Sequence, residues 1–294
     1  MSNQSFLILV VGPTAVGKTD LCLNLAKKFK TEIVSCDSRQ FYREMNLGTA
    51  KPSSEELSEV PHHFINSLSI EDDYDVRKFE TLFLKNQVVI MTGGSGLFAE
   101  AIVNGLDEMP AIAPEVRAQI IQEYAEKGLD FLQEEVAQND PEYFEIVDQK
   151  NPQRLMRAME IYRGTGKKFS SFRVKSVKKR PFQVIKVGLE RDREELYARI
   201  DLRMDQMITA GLFQEADALF EKRHLNALQT VGYSEIFGFL EGRYDKEEAI
   251  RLLKRNSRRY AKRQLTWFKK DESIKWFSPE NKESILEFLA YQMA

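Results

Sequence analysis

Cysteine is scarce in this chain: Cys22 and Cys36 are the only two in 294 residues. Two thiols build neither a disulfide framework nor a four-thiolate zinc site. Histidine is nearly as rare, and His62, His63 and His224 lack the spacing of metal ligands. They read as structural. No apolar run approaches the roughly 18 residues that cross a bilayer. The N-terminus shows no basic segment followed by an apolar one, so neither export nor membrane contact is expected. The expectation is a cytoplasmic protein. Neither sign of charge dominates: 43 Lys and Arg against 45 Asp and Glu give a net charge of −2. No global field draws the chain to nucleic acid, so such a role needs a local patch. Internal repeats and low-complexity tracts are also missing.

What is present fits a globular enzyme, with 43% hydrophobic and 30% charged residues. Such a chain buries one large core or two modest ones. The first third alternates strand and helix patterns. Phe6–Val11, Glu32–Cys36 and Gln87–Met91 read as strands; Lys18–Phe29, Val76–Leu84 and Gly96–Asn104 read as helices. Such a series predicts a parallel sheet with ligands at the carboxyl ends of the strands. Gly12–Thr19, Asp37 and Thr92–Gly96 all fall at such ends. Met109–Pro114 marks a boundary. Helical patterns follow at Pro114–Lys127, Leu129–Gln138 and Pro152–Tyr162, with Gly164 and Gly166 as the stop. Phe182–Leu189 alternates like a strand, helices resume at Arg193, and Ser273–Phe277 is a short strand candidate. The expected fold is α/β, with a parallel-sheet core of the P-loop NTPase type over 1–108 and 179–294. A helical insertion is expected over 109–178.

Gly12, Pro13, Thr14, Ala15, Val16, Gly17, Lys18 and Thr19 read GPTAVGKT, directly behind an apolar strand and ahead of a helix. That is the setting a phosphate-binding loop needs. Backbone N–H groups and the helix start favour an anion, Lys18 adds a mobile cation, and the Thr19 hydroxyl can hold Mg²⁺. An ordinary glycine-rich turn is the competing reading. Asp37, just after a strand, could act as a general base, hold Mg²⁺, or merely cap a helix. Gln40 has the amide that reads an adenine edge. The third strand ends in Thr92-Gly-Gly-Ser95, where an ATP-hydrolysing protein carries an acid. That counts against a kinase. The Thr92 and Ser95 hydroxyls could instead serve another anion, or the segment could be only a tight turn.

Two basic segments stand out. Gln153, Arg154 and Arg157 open a helix, with the two arginines on one face, although such pairs are often only solvated surface. The segment Asp245–Lys270 carries ten Lys or Arg against three Asp or Glu. Arg258, Arg259 and Lys262 recur there at helical spacing with Tyr260 and Trp267 interleaved. A stripe of one sign fits a nucleic-acid backbone.

In order along the chain, these blocks resemble the tRNA dimethylallyltransferase (IPP transferase) family. The matching segments are GPTAVGKT at Gly12–Thr19, DSRQFY at Asp37–Tyr42, GTAKP at Gly48–Pro52 and GGSGLF at Gly93–Phe98. PEVR at Pro114–Arg117, NPQRLMRAME at Asn151–Glu160, GYSE at Gly232–Glu235 and RRYAKRQLTW at Arg258–Trp267 complete the set. Ser95 stands where the family usually has Thr, and Phe98 where it usually has Tyr. Tyr74–Gln87 is shorter than the family's crossover helix.

The resemblance implies transfer of a dimethylallyl group from its diphosphate to N6 of the adenosine 3′ to the anticodon in tRNA. The glycine-rich loop and Arg203 would hold the diphosphate, with Lys18 and Mg²⁺ at Thr19 stabilising it as it leaves. Asp37 would be the base, with Ser95 beside the reacting groups. Ser38, Arg39 and Gln40 would read the flipped base or its neighbours. Arg117 would meet tRNA, and Gln153, Arg154, Leu155, Met156 and Arg157 would grip flanking nucleotides. Arg258, Arg259 and Lys262 would track phosphates of the anticodon stem-loop, with the insertion as a clamp. A monomer is expected. Three competing readings remain: prenyl transfer to free AMP, ADP or ATP, a small-molecule kinase, and a non-catalytic RNA-binding module.

Overall fold

A computed structural model describes residues 5–72, 75, 76, 78, 90–174 and 177–294. Most of the expected helix Val76–Leu84, the residues Gln87–Val89 and most of the short Tyr74–Gln87 region lie outside the described residues. By compactness the chain divides into Met1–Val103 with Lys179–Ala294, and Asn104–Lys178.

Strands β1 (Ser5–Val11), β2 (Ile33–Ser35), β3 (His62–His63), β4 (Ile90–Thr92), β5 (Phe182–Leu189) and β6 (Lys275–Phe277) form one sheet. The order is β3-β2-β4-β1-β5-β6. Every pairing is parallel. Five consecutive residues of β1, Leu7 to Val11, are buried. Such a run suits a central strand covered on both faces. Helices α1 (Lys18–Phe29), α2 (Ser54–Glu59) and α3 (Gly96–Asn104) follow β1, β2 and β4 in the chain. Because β4 lies between β1 and β2, the chain reverses direction across the sheet beside the end of β1. Open parallel sheets bind ligands at such a point.

The second unit holds α4 (Pro114–Asn139), α5 (Pro141–Ile146) and α6 (Pro152–Thr165). Pro114–Lys127 and Leu129–Gln138, expected as two helices, are joined through a kink at Gly128 (φ 79°). Gly164 does not stop α6. The helix runs on to Thr165, and Gly166 (φ 71°) closes it. Ile120, Leu132, Val136, Leu155, Met156 and Met159 share this unit's core. Buried Asp140 accepts the Ser170 N–H at 2.7 Å and the Tyr143 N–H at 3.2 Å, so one carboxylate ties a helix start to a distant turn.

After β5 the first unit continues with α7 (Arg193–Thr209), α8 (Leu212–Ala218), α9 (Tyr233–Leu240), α10 (Lys246–Phe268) and α11 (Lys282–Met293). The Asp192 carboxylate caps α7 at the Glu194 N–H, and Asp245 caps α10 at the Glu248 N–H. The buried stripe of α10, Ala249, Leu253, Ser257, Ala261, Gln264 and Phe268, recurs at three- and four-residue spacing. Its other faces carry the charge.

Candidate active site

The glycine-rich loop leaves β1 through Gly12 (φ 145°), where a Cβ would fall 2.6 Å from the Leu189 carbonyl oxygen. Only glycine fits that approach. Cations hold the loop's carbonyls. Lys18 Nζ donates to Gly12 O at 2.9 Å and Pro13 O at 2.8 Å. Arg199 Nε donates to Ala15 O, and Arg191 Nε to Val16 O, both at 2.9 Å. Arg203, one turn beyond Arg199 on α7, donates to the Thr14 hydroxyl at 3.3 Å and to Ala50 O at 3.1 Å. Burial, reinforced by Arg203, lowers the Lys18 pKa to about 8. Burial likewise lowers that of Arg203. Two desolvated cations beside one loop make a site that an anion relieves.

Asp37 follows β2 and faces the same cavity, of about 640 Å³, into which Lys18, Arg203 and Tyr260 also project. Its Oδ1 accepts the Arg39 N–H at 3.0 Å. This is a local turn, since no helix follows it. Ser95 fixes the turn from across the sheet: its hydroxyl accepts the Ser38 N–H at 3.0 Å and donates to Ser38 Oγ at 3.1 Å. Tyr260 is pressed against this group, where burial and the Asp37 charge push its hydroxyl pKa up. No acid ends β4. Thr92 stands there, with its buried hydroxyl lacking a nitrogen or oxygen partner among the described residues.

Gln40 also lines this cavity. Its Oε1 accepts from Ser35 Oγ at 2.9 Å, and its Nε2 donates to the Thr49 and Ala50 carbonyls at 3.3 Å each. The amide is engaged at both ends and ties the Ser35 turn to the 49–50 loop. Leu155 and Met156 are 0% and 2% exposed, and their side chains belong to the core of the second unit. Arg258 pairs with both oxygens of Asp201 at 2.5 and 2.6 Å, because α7 packs an acid against that face of α10. Arg259, Lys262 and Arg263 remain exposed.

In the second unit, Glu160 is 8% exposed and gathers two expected RNA contacts. It accepts from Arg117 at 3.0 Å and from Arg157 at 2.8 Å, and Arg117 also donates to Gln153 at 2.8 Å. Gln153 and Arg154 are exposed.

Sequence reasoning missed Arg191, Arg199, Glu160, Glu215 and Gln264. Glu215 accepts the N–H groups of Leu47 at 2.8 Å and Gly48 at 3.0 Å, and the Tyr233 hydroxyl at 2.6 Å. It thereby shapes the loop whose Ala50 carbonyl meets Arg203. The i, i+4 spacing of Arg199 and Arg203 was a usable signal; the partners of Glu215 and Gln264, far away in sequence, left none.

Mg²⁺ would have to be held largely by substrate. Among the described residues no group of three His, Cys, Asp or Glu could hold a metal. The Thr19 hydroxyl on the first turn of α1 is an oxygen donor that would suit such a hard cation.

A parallel α/β sheet with a cation-lined glycine loop at the end of its central strand defines a phosphate-binding protein of the P-loop class. The family model described as IPP transferase matches residues 40–271. The chain belongs to that family. It is 52% identical to a tRNA dimethylallyltransferase of Cytophaga hutchinsonii over 97% of both chains. It is 47% identical to tRNA dimethylallyltransferase 1 of Bacteroides fragilis, over 96% of this chain and 97% of that one. Among solved structures, the tRNA isopentenylpyrophosphate transferase of Bacillus halodurans superposes with a TM-score of 0.70 at 33% identity. That match covers 98% of this chain and 96% of the other. A eukaryotic dimethylallyltransferase acting on tRNA gives a TM-score of 0.71 at 26% identity, covering 90% of this chain and 70% of that one.

Proposed function

We propose that the protein transfers the dimethylallyl group of dimethylallyl diphosphate to N6 of the adenosine 3′-adjacent to the anticodon in tRNA. The observation that carries this reading is one cavity holding both the Lys18–Arg203 pair and the Asp37 carboxylate. In the reaction the allylic C–O bond breaks and a C–N bond forms. Diphosphate departs with the electron pair of the broken bond. The amine proton passes to Asp37 and then to solvent. Lys18, Arg203 and the loop N–H groups meet the negative charge as it grows on the leaving oxygens. Mg²⁺, held through Thr19, would supply further charge neutralisation there.

An adenine stacked in a loop must be extruded to reach such a cavity. Arg39 and Tyr260, which line the cavity, and Ser38 next to Asp37 would meet the flipped base. Arg259 and Lys262 on α10 are offered to stem phosphates. Arg117, Gln153, Arg154 and Arg157 are offered to flanking nucleotides, with the unit Asn104–Lys178 as the clamp. The absence of an acid at the end of β4 favours a leaving diphosphate over phosphoryl transfer from ATP.

Nucleoside mass spectrometry tests the reading. Unmodified tRNA incubated with the protein and dimethylallyl diphosphate should gain N6-dimethylallyladenosine at one position per acceptor. Prenylation of AMP with tRNA untouched would contradict it, as would consumption of ATP with neither product.

A further inference from the structure

One side chain bonds both the glycine-rich loop and the segment beside the Asp37 turn while belonging to neither. Gln264, on α10, is 4% exposed. Its Oε1 accepts the Thr14 N–H at 2.8 Å, and its Nε2 donates to the Gly94 carbonyl at 3.1 Å. Gly94 immediately precedes Ser95, whose hydroxyl fixes the Ser38 N–H. A Cβ at position 94 would fall 2.0 Å from Gln264 Nε2 and 3.6 Å from Asp37 Oδ2. The amide and the carboxylate therefore both lie beside Gly94.

Buried glutamines with both amide ends bonded are often only mortar. Here the partners argue for more. Thr14 N–H belongs to the loop that would receive the diphosphate, and the Thr14 side chain takes Arg203. Gly94 belongs to the segment that orients Asp37. Gln264 also shares its helix with the exposed Arg259, Lys262 and Arg263, three cations that the proposed function turns toward RNA.

We propose that Gln264 is a positioning residue that sets the spacing between the leaving diphosphate and the Asp37 carboxylate, and ties that spacing to the seating of α10. The proposal rests on the prenyl-transfer reading above. A rigid two-ended amide suits this task because the in-line arrangement of leaving oxygen, carbon and amine tolerates little error; a misplacement of about 1 Å can cost about 100-fold in rate. Binding of the diphosphate depends on Lys18 and Arg203 and should survive loss of the amide.

The test compares wild-type protein with Gln264→Met, which keeps the volume and loses both bonds. Gln264→Glu keeps the Thr14 bond but turns a carboxylate oxygen toward the Gly94 carbonyl. It takes the place of the methionine variant should that one not fold. Single-turnover prenyl transfer to tRNA is measured per folded enzyme, together with the Kd for dimethylallyl diphosphate. The expected result is a rate loss of about 100-fold in Gln264→Met, with its diphosphate Kd within about threefold of wild type. An unchanged rate per folded enzyme would overturn the proposal, as would a loss that lies wholly in diphosphate affinity. Wild-type protein in the same assay reports separately on the proposed function. If it forms no prenylated adenosine the function is wrong, whereas the ratio of variant to wild type concerns Gln264 alone.

Discussion

Lys18 is the residue whose chemistry the structure constrains most tightly. Burial and Arg203 hold its pKa at about 8, although two carbonyls accept its protons. The depressed value means that the folded, ligand-free protein binds fewer protons than the unfolded chain between about pH 8 and the ordinary lysine pKa of about 10.4. The penalty of keeping Lys18 charged is therefore present in full below pH 8 and fades as pH rises through that window. An arriving diphosphate reverses the effect and raises the pKa. Calorimetry in buffers of different ionisation enthalpy should show proton uptake on diphosphate binding above pH 8, with little below pH 7. Lys51, also lowered to about 8 by burial, borders the same cavity. Uptake should persist in Lys51→Arg and vanish in Lys18→Met. Uptake that survives in Lys18→Met would move the role to another group.

At the scale of elements, α10 behaves as two helices in one. Its buried stripe packs on the sheet unit and carries Gln264, while its outer faces carry cations. The charge run in the sequence made all of them look available. The fold withdraws several. Lys254 reaches Asp205, Arg258 reaches Asp201 and Arg251 reaches Glu248. Replacing Arg259, Lys262 and Arg263 together by glutamine should lower the slope of log K for tRNA against log salt by about 2–3, at about 0.7–0.9 per phosphate contact. Arg258→Gln should leave that slope nearly unchanged and lower the melting temperature instead. Filter binding across a salt series separates the two, and a slope that responds only to Arg258 would contradict the assignment.

The same contrast explains what could be read in advance. Strands β1 and β5, helix α1 and the glycine loop carry their signals locally, in apolar runs, caps and a fixed spacing. Lys18, Asp37 and Ser95 could be singled out for that reason. The intramolecular partners of Gln40, Leu155, Met156 and Arg258 were not legible, because they lie elsewhere: a hydroxyl and two carbonyls for Gln40, a helical core for Leu155 and Met156, Asp201 for Arg258. A side chain's type shows what it can bond. Only the fold shows whether those bonds are already made.

For the molecule as a whole, the reversal of strand order beside β1 brings together segments from the first hundred residues and from α7 and α10. The glycine loop, the Asp37 turn, Arg203 and Gln264 meet there, though Thr14 and Gln264 are 250 positions apart. In the proposed reaction this one cavity grips a departing diphosphate while Asp37 takes the proton of an adenine amine. Asp37→Asn tests it most directly, since asparagine keeps an acceptor for the Arg39 N–H and loses only the basic carboxylate. Rapid-quench single-turnover transfer should slow by about 10²–10⁴-fold, with tRNA and diphosphate affinities within about threefold of wild type. Transfer at an undiminished rate would contradict the claim.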